Sequence, residues 1–322
     1  MSNLLQTLST SERLLQTKNI MRWAMILSGV SLFFFMFFSG PMQGVERPIW
    51  YRIITFLLQQ VAVLGGALVC LRNGLSKQMP SGTQVWLLTG AALLSYFMGN
   101  LFFYLWELLW GLDPVGSLGD PFFVIFYILL SLGMINAVLN KQIKLKIYQW
   151  SIIAGITTYA AVMAMWIMTP PPTPASPPAA VTTTQSSTSQ AAPSAPPVEE
   201  ATSNAPEWVK SFDTVFKPHG TLLNQFYVWS DVALFGLALA MILAFWGGKL
   251  SNAWQFTAQA IICFYVADMW LSYATNHVSG YQSGFMLEIF WTLGSIQFGV
   301  AAALEFEHMT VREQDRSDDR YY

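Results

Sequence analysis

The sequence predicts an all-α membrane protein with eight transmembrane helices arranged as two parallel four-helix repeats. Three observations predict it. Of the 322 residues, 54% are apolar and only 11% are charged, whereas soluble domains carry roughly 25% charged residues. Eight segments come close to the ~20 mostly apolar residues that a spanning helix needs. A sparse pattern of polar and small residues also recurs at a spacing of 168 to 171 residues.

The elements follow in chain order. Residues 1–20 carry no cleavage site after an apolar run; Ser9-Thr10-Ser11-Glu12 instead has the form of a capping box, and Leu4, Leu8 and Leu15 share a face. They predict a short cytoplasmic surface helix feeding the first span. Residues 21–168 open with the four spans of the first half, Met21–Ser39, Ile53–Leu71, Val85–Trp110 and Pro121–Leu139. Their last span, Tyr148–Met168, begins the second half, which residues 222–305 complete with Leu222–Trp246, Ala253–Thr275 and Ser283–Glu305. Gly and Pro punctuate the joints, as at Gly40-Pro41, Pro80-Ser81-Gly82, Asp113-Pro114 and Gly247-Gly248. The runs are twice as long as barrel strands and do not alternate, which excludes a membrane β-barrel.

One connection is long. Residues 169–206 hold ten of the sixteen prolines, interspersed with Ser, Thr, Ala and Gln. Such a segment buries too little apolar surface to offset its entropy and is expected to be a disordered external linker. Residues 207–221 follow with Trp208, Val209, Phe212 and Phe216 at helical spacing against Lys210, Asp213 and Lys217, the pattern of an interfacial helix. The tail, 306–322, offers no room for a further domain.

Basic residues set the expected orientation. With the N-terminus inside, twelve Lys and Arg fall on the cytoplasmic side and four (Arg47, Arg52, Lys210, Lys217) on the other. Both termini are therefore expected in the cytoplasm.

The internal pattern pairs Asn100 with Asp268, Asp120 with Glu288 and Phe123 with Trp291 at an offset of 168, and Gln60 with Asp231 and Gly65 with Gly236 at 171. Four spans plus the linker fill that interval, so the halves share one orientation. At these residues the chain resembles a known family. Leu118-Gly119-Asp120-Pro121-Phe122-Phe123-Val124-Ile125-Phe126-Tyr127, Trp229-Ser230-Asp231-Val232-Ala233-Leu234, Ala267-Asp268-Met269-Trp270 and Glu288-Ile289-Phe290-Trp291 are similar to the multi-span sensory region that precedes GGDEF and EAL domains in bacterial cyclic-di-GMP enzymes. No G-G-D-E-F, E-A-L or phosphoacceptor motif is present. The resemblance implies an input-type module without an output enzyme, in a bacterial inner membrane.

Ionisable groups inside a span are costly and mark candidate sites. Asn100, Tyr104 and Glu107 recur at i, i+4 and i+7 and share a helix face; Asp268, Ser272 and Thr275 repeat the spacing, as do Glu288, Thr292, Ser295 and Gly299. Glu107, Asp120, Asp231, Asp268 and Glu288 all fall in the outer half, with Arg52 and His277 as nearby cations. They predict an outward-facing acidic pocket walled by Tyr104, Tyr127, Trp229, Trp270 and Trp291, suited to a cationic or multi-hydroxyl ligand. The competing reading is structural: Asp120, Asp231 and Glu288 stand near helix starts, where a carboxylate complements the dipole, and Asp268 and Glu107 lie deeper.

Other chemistries lack their residues. His219, His277 and His308 are dispersed and Cys70 and Cys263 sit in apolar runs, so no metal, haem or other cofactor is expected. Ser117-Leu118-Gly119-Asp120 lacks the first Gly of an intramembrane aspartyl protease. Sixteen basic against eighteen acidic residues leave no patch for nucleic acid. The expected partners are the lipid bilayer and a membrane or cytoplasmic protein. The expected function is a non-enzymatic sensory or scaffolding membrane protein, with a small-solute or ion transporter and a subunit of a larger membrane complex as alternatives.

Overall fold

The computed structural model describes residues 16–40, 47–76, 79–112, 116–140, 145–169, 205–245, 251–278 and 281–318. The surface helix expected within residues 1–20 and nearly all of the 169–206 linker lie outside them. The described residues form nine α-helices: α1 Thr17–Phe38, α2 Ile49–Gly74, α3 Thr83–Trp110, α4 Gly119–Asn140, α5 Ile147–Met168, α6 Glu207–Phe216, α7 Gly220–Ala244, α8 Ser251–His277 and α9 Ile289–Asp318. Short 3₁₀ turns, Lys217–His219 and Met286–Glu288, lead into α7 and α9.

Seven of these helices are long and apolar enough to cross a membrane: α1 to α5, α7 and α9. The chain is a multi-pass helical membrane protein. The predicted span Ala253–Thr275 forms α8, 27 residues long but less apolar than the other seven. Gln255, Gln259, Asp268, Ser272, Thr275 and Asn276 account for the difference. The amphipathic segment after the linker is helical, as its spacing predicts, with Val209 buried and Trp208 and Val215 exposed.

Local chemistry explains the helix ends. Pro48 and Pro206 stand ahead of α2 and α6, and each carbonyl accepts from two N–H groups of the following turn. At the other end of α3, Gly111 adopts a left-handed conformation, φ 62°, and Leu112 N–H returns to the Trp106 carbonyl, a glycine C-terminal stop.

Helices α2, α3, α4, α7, α8 and α9 pack in sequence round a closed ring, α9 returning against α2. The first helix leans on the outside against α9 and α2, and α5 leans against α7 and α8. Inside the ring α3 and α8 meet through aromatic rings. Trp86 stacks on Trp254 at 6.4 Å between centroids, and Tyr96 meets Phe264 edge-on at 5.0 Å. Phe126 lies 4.9 Å from Tyr96 and 5.5 Å from Phe264. These contacts set the two ends of α8. Its Trp254 end lies with the start of α3, and its Thr275 end reaches the loops that precede α4, α7 and α9.

The end away from those loops is tied by long-range hydrogen bonds. Asn73 Nδ2 donates to the Ala302 carbonyl at 2.7 Å. Ser81 donates its N–H and hydroxyl to Glu305 Oε1 at 2.8 and 2.6 Å. Thr17 Oγ1 donates to Ala303 O, and the Arg72 guanidinium covers the Phe306 ring at 3.9 Å. Thirty residues make α9 about 45 Å long, well beyond a hydrocarbon core of about 30 Å.

Close approach of α2 and α9 depends on glycine, as expected where helices associate in lipid. A Cβ at Gly66 would lie 2.5 Å from the Ser295 carbonyl oxygen, while Gly299 stands opposite with its own Cβ position 3.2 Å from Gly66 Cα. The adjacent Gly65 has open space. Gly66→Ala is therefore expected to lower stability in detergent by about 1–3 kcal/mol, the cost of overpacking a fixed backbone. Gly65→Ala should leave the melting temperature unchanged or slightly raised. Equal behaviour of the two variants in a thermal melt would refute the close crossing.

Candidate functional site

A cavity of about 420 Å³ opens at the loop end of the ring. Its lining comes from α2, α3, α4, α7, α8 and α9, and helical periodicity explains why. Tyr96, Asn100 and Tyr104 succeed each other at four-residue steps on α3, Phe123 and Tyr127 on α4, Tyr227 and Asp231 on α7, and Asp268 and Ser272 on α8. Each helix thus turns one stripe of polar and aromatic groups inward.

At the heart of the cavity two carboxyls share one phenol. The Tyr127 hydroxyl lies 2.9 Å from Asp231 Oδ1 and 3.3 Å from Asp268 Oδ2. Trp291, on α9, donates Nε1–H to Asp268 Oδ1 at 2.9 Å. Asp231 Oδ2 is buried with no hydrogen-bond partner, as is Asn100 Nδ2 across the cavity. Gln59 Nε2 donates to the Tyr96 hydroxyl at 3.3 Å on the side of Asn100. Nearer the mouth, Tyr227 donates to Asp120 Oδ1 at 2.7 Å and Gly116 N–H to Asp120 Oδ2 at 2.8 Å. Lys217 stands at the rim.

Of the residues singled out from sequence, Asn100, Tyr104, Tyr127, Asp120, Asp231, Asp268 and Trp291 meet in this cavity. Glu107, Glu288, Trp229 and Trp270 are outside its lining. Glu107 shares the face of Asn100 but lies about 10 Å further along the helix, where it binds Arg52 at 2.5 Å. Trp229 faces outward, 45% exposed. Glu288 accepts from Gly284 N–H at 2.7 Å and from the Tyr281 hydroxyl, and Trp270 donates to that same hydroxyl at 2.9 Å. Burial and the Glu288 carboxylate push the Tyr281 hydroxyl well above the ordinary phenol range, so it stays a donor. Arg47 and Tyr51 both donate to the Gly284 carbonyl, at 2.9 and 2.7 Å, which fixes the loop ahead of α9. His277 stacks on Tyr273 and Trp166.

The capping role fits Asp120 and Glu288, each of which receives the N–H of a glycine four residues earlier. It does not fit Asp231: α7 starts at Gly220, so Asp231 sits eleven residues inside the helix. Sequence reading missed Tyr96, Phe123, Tyr227, Asn224 and Gln59 as lining residues. It also missed Gly116 and Gly284, both with positive φ, 87° and 111°, and themselves 168 residues apart. A shared Gly-x-x-x-acid pattern at that offset is a signal the chain does carry.

No family model, curated protein or solved structure matches the chain. Among the described residues no group of three or more His, Cys, Asp or Glu could hold a metal ion. The arrangement can bind: it offers two carboxyls, an amide, several phenols and aromatic walls in an enclosed space.

The shared phenol gives a direct check. Tyr127→Phe removes the hydroxyl from both carboxyls while keeping the ring, and loss of a buried hydrogen bond to charged or polar partners is worth about 1–3 kcal/mol. A melting temperature lower than the parent protein's is expected, whereas Trp229→Phe on the exterior should be silent. Tyr127→Phe melting with the parent protein would show that the hydroxyl does not bridge the pair.

Proposed function

We propose that the protein is a non-enzymatic membrane sensor that binds a small ligand in this cavity and passes the event to a protein partner through α9. The observation that carries the proposal is the course of one helix. It begins at the Glu288 turn, places Trp291 on Asp268 in the cavity, and continues to Asp318, past the contacts at Ala302, Ala303 and Glu305. A change in the cavity that shifts Trp291 acts on one continuous helix that runs thirteen residues past Glu305.

The sensor reading is favoured over transport by the aromatic layer beneath the cavity. Tyr96, Phe126 and Phe264, followed by Trp86 on Trp254, pack together as buried core beneath the cavity, which favours a pocket over a passage. Resemblance to the sensory regions of bacterial cyclic-di-GMP enzymes supports the same reading and, with it, a bacterial inner membrane.

In this proposal α8 is the eighth span, and the halves α1–α4 and α5, α7–α9 are parallel repeats. The pairing of contacts supports it: α3 against α4 is matched by α8 against α9, α2 against α3 by α7 against α8, and α9 against α2 by α4 against α7. So do Trp86 with Trp254, Tyr96 with Phe264, and Gly116 with Gly284, each 168 residues apart. The basic-residue count favours both termini in the cytoplasm and the cavity facing outward. A reporter that is fluorescent only in the cytoplasm, fused after Tyr322, should light up; a dark but full-length fusion would reverse the orientation.

The relay is tested by hydrogen exchange. Trp291→Phe frees Asp268 Oδ1, and amide exchange is expected to rise by about tenfold along α9, including the stretch 303–310 about three turns or more from the substituted residue, a local destabilisation of about 1.4 kcal/mol. A rise confined to the turn around residue 291 would end the relay proposal.

A further inference from the structure

The cavity contains two unmet hydrogen-bonding atoms of opposite kind. Asp231 Oδ2 is an acceptor and Asn100 Nδ2 a donor; their residues are 2% and 5% exposed, and both line the cavity. Native interiors satisfy nearly all such atoms, and those that stand open call for an explanation. One molecule carrying a donor and an acceptor would satisfy both.

Charge narrows the donor. Among the described residues Asp231 and Asp268 take the Tyr127 hydroxyl and Trp291 Nε1–H and also contact each other. Two carboxyls held this close in a dry site are stable only if a shared proton or a cation accompanies them, and a cationic ligand takes the proton's place. Among the described lining residues, the cation is Lys217, at the rim rather than beside the pair. The space, about 420 Å³, is that of a small-molecule site and is far too large for a bare ion. A hard divalent ion would also want six or more oxygen ligands, whereas the deep end supplies two carboxyls among Tyr96, Phe123, Tyr227 and Trp291. Aromatic rings near carboxylates favour organic cations.

We infer that the cavity binds an organic ammonium ion that also carries an oxygen acceptor. Its ammonium group donates to Asp231 Oδ2, its oxygen accepts from Asn100 Nδ2, and the aromatic residues enclose its carbon skeleton. The inference rests on the proposed binding pocket and specifies the class of ligand that the pocket takes.

Thermal unfolding of the full-length protein in mild detergent tests it with three probes of one skeleton: tyramine (an ammonium ion), tyrosol (a neutral hydroxyl in its place) and 4-hydroxyphenylacetate (a carboxylate). At saturation tyramine should raise the melting temperature by about 3–5 °C, tyrosol by much less and the carboxylate not at all. Asp231→Asn keeps the shape and hydrogen-bonding capacity of the side chain, and should reduce the tyramine shift to the tyrosol level. Should that variant fail to fold, Asn100→Ala, which deletes the unmet donor together with the amide oxygen, is expected to weaken tyramine by about tenfold. Equal shifts for the three probes, a preference for tyrosol or the carboxylate, no shift with any probe, or unchanged tyramine affinity in either variant overturns the inference. Selective tyramine binding without altered exchange along α9 would leave the ligand class standing and remove the relay. Altered exchange in Trp291→Phe without a tyramine response would do the reverse.

Discussion

The meeting of α3 and α8 through Tyr96 and Phe264 is the contact on which the rest of the molecule depends. It divides the ring of helices into two environments. On one side Phe126, Trp86, Trp254 and Phe298 make a dry aromatic and aliphatic core. On the other the same helices, one turn further on, present Asn100, Asp268 and Tyr104. Without the aromatic layer the polar groups would have water or lipid beneath them, and neither would hold two carboxyls in fixed positions.

Within a membrane protein, every enclosed polar group must find its partner inside the protein. This chain meets the requirement for its acids by three different devices. Arg52 neutralises Glu107 on the α2–α3 surface. Backbone N–H groups of positive-φ glycines and nearby tyrosines satisfy Asp120 and Glu288 at helix starts. Asp268 is held by Trp291 and shares Tyr127 with Asp231. The last device brings two carboxyls to one phenol inside the cavity, and that is why the functional reading attaches to the Asp231–Asp268 pair and not to acidity in general. Glu305 at the far end belongs with the structural group, since it anchors Ser81 at the start of α3.

Much of this was legible in the sequence, for identifiable reasons. Long apolar runs bounded by Gly and Pro located the long helices to within a few residues, because a spanning helix has no alternative way to satisfy its backbone. The exception is α9, which continues thirteen residues past the expected Glu305 through the stretch read as a tail. Four-residue spacing brought Asn100, Tyr104 and Asp268 to the cavity. Spacing gives a face but not a height, so Glu107, on the same face as Asn100, was placed in a cavity that ends below it. The cap reading of Asp231 conflicts with the span itself: a start at Leu222 already puts Asp231 nine residues inside the helix, and α7 begins two residues earlier still. The start of α9 was hidden too, since Ser283–Glu288 is apolar enough to pass for helix while the Gly284 backbone, pinned by Arg47 and Tyr51, forbids it.

The two walls of the cavity differ in a way that bears on how it works. Positions 100 and 268, equivalent at the 168-residue offset, carry an amide and a carboxyl; positions 60 and 231, equivalent at 171, do the same. The first half lines the cavity with Gln59, Asn100 and Asp120, and the second half with Asn224, Asp231, Asp268 and Asn276. Amides can donate and accept at any protonation state, whereas carboxyls change both charge and hydrogen-bonding character with their proton. At the paired positions the first half keeps the neutral group and the second the charge-responsive one, so the deep end is not symmetric between the halves. Trp291, the group that ties α9 to the cavity, bonds to the responsive wall. The two deep carboxyls thus bond to α4 and α9, while the amides Gln59 and Gln60 bond to the Tyr96 hydroxyl and the Phe97 carbonyl beside the aromatic layer.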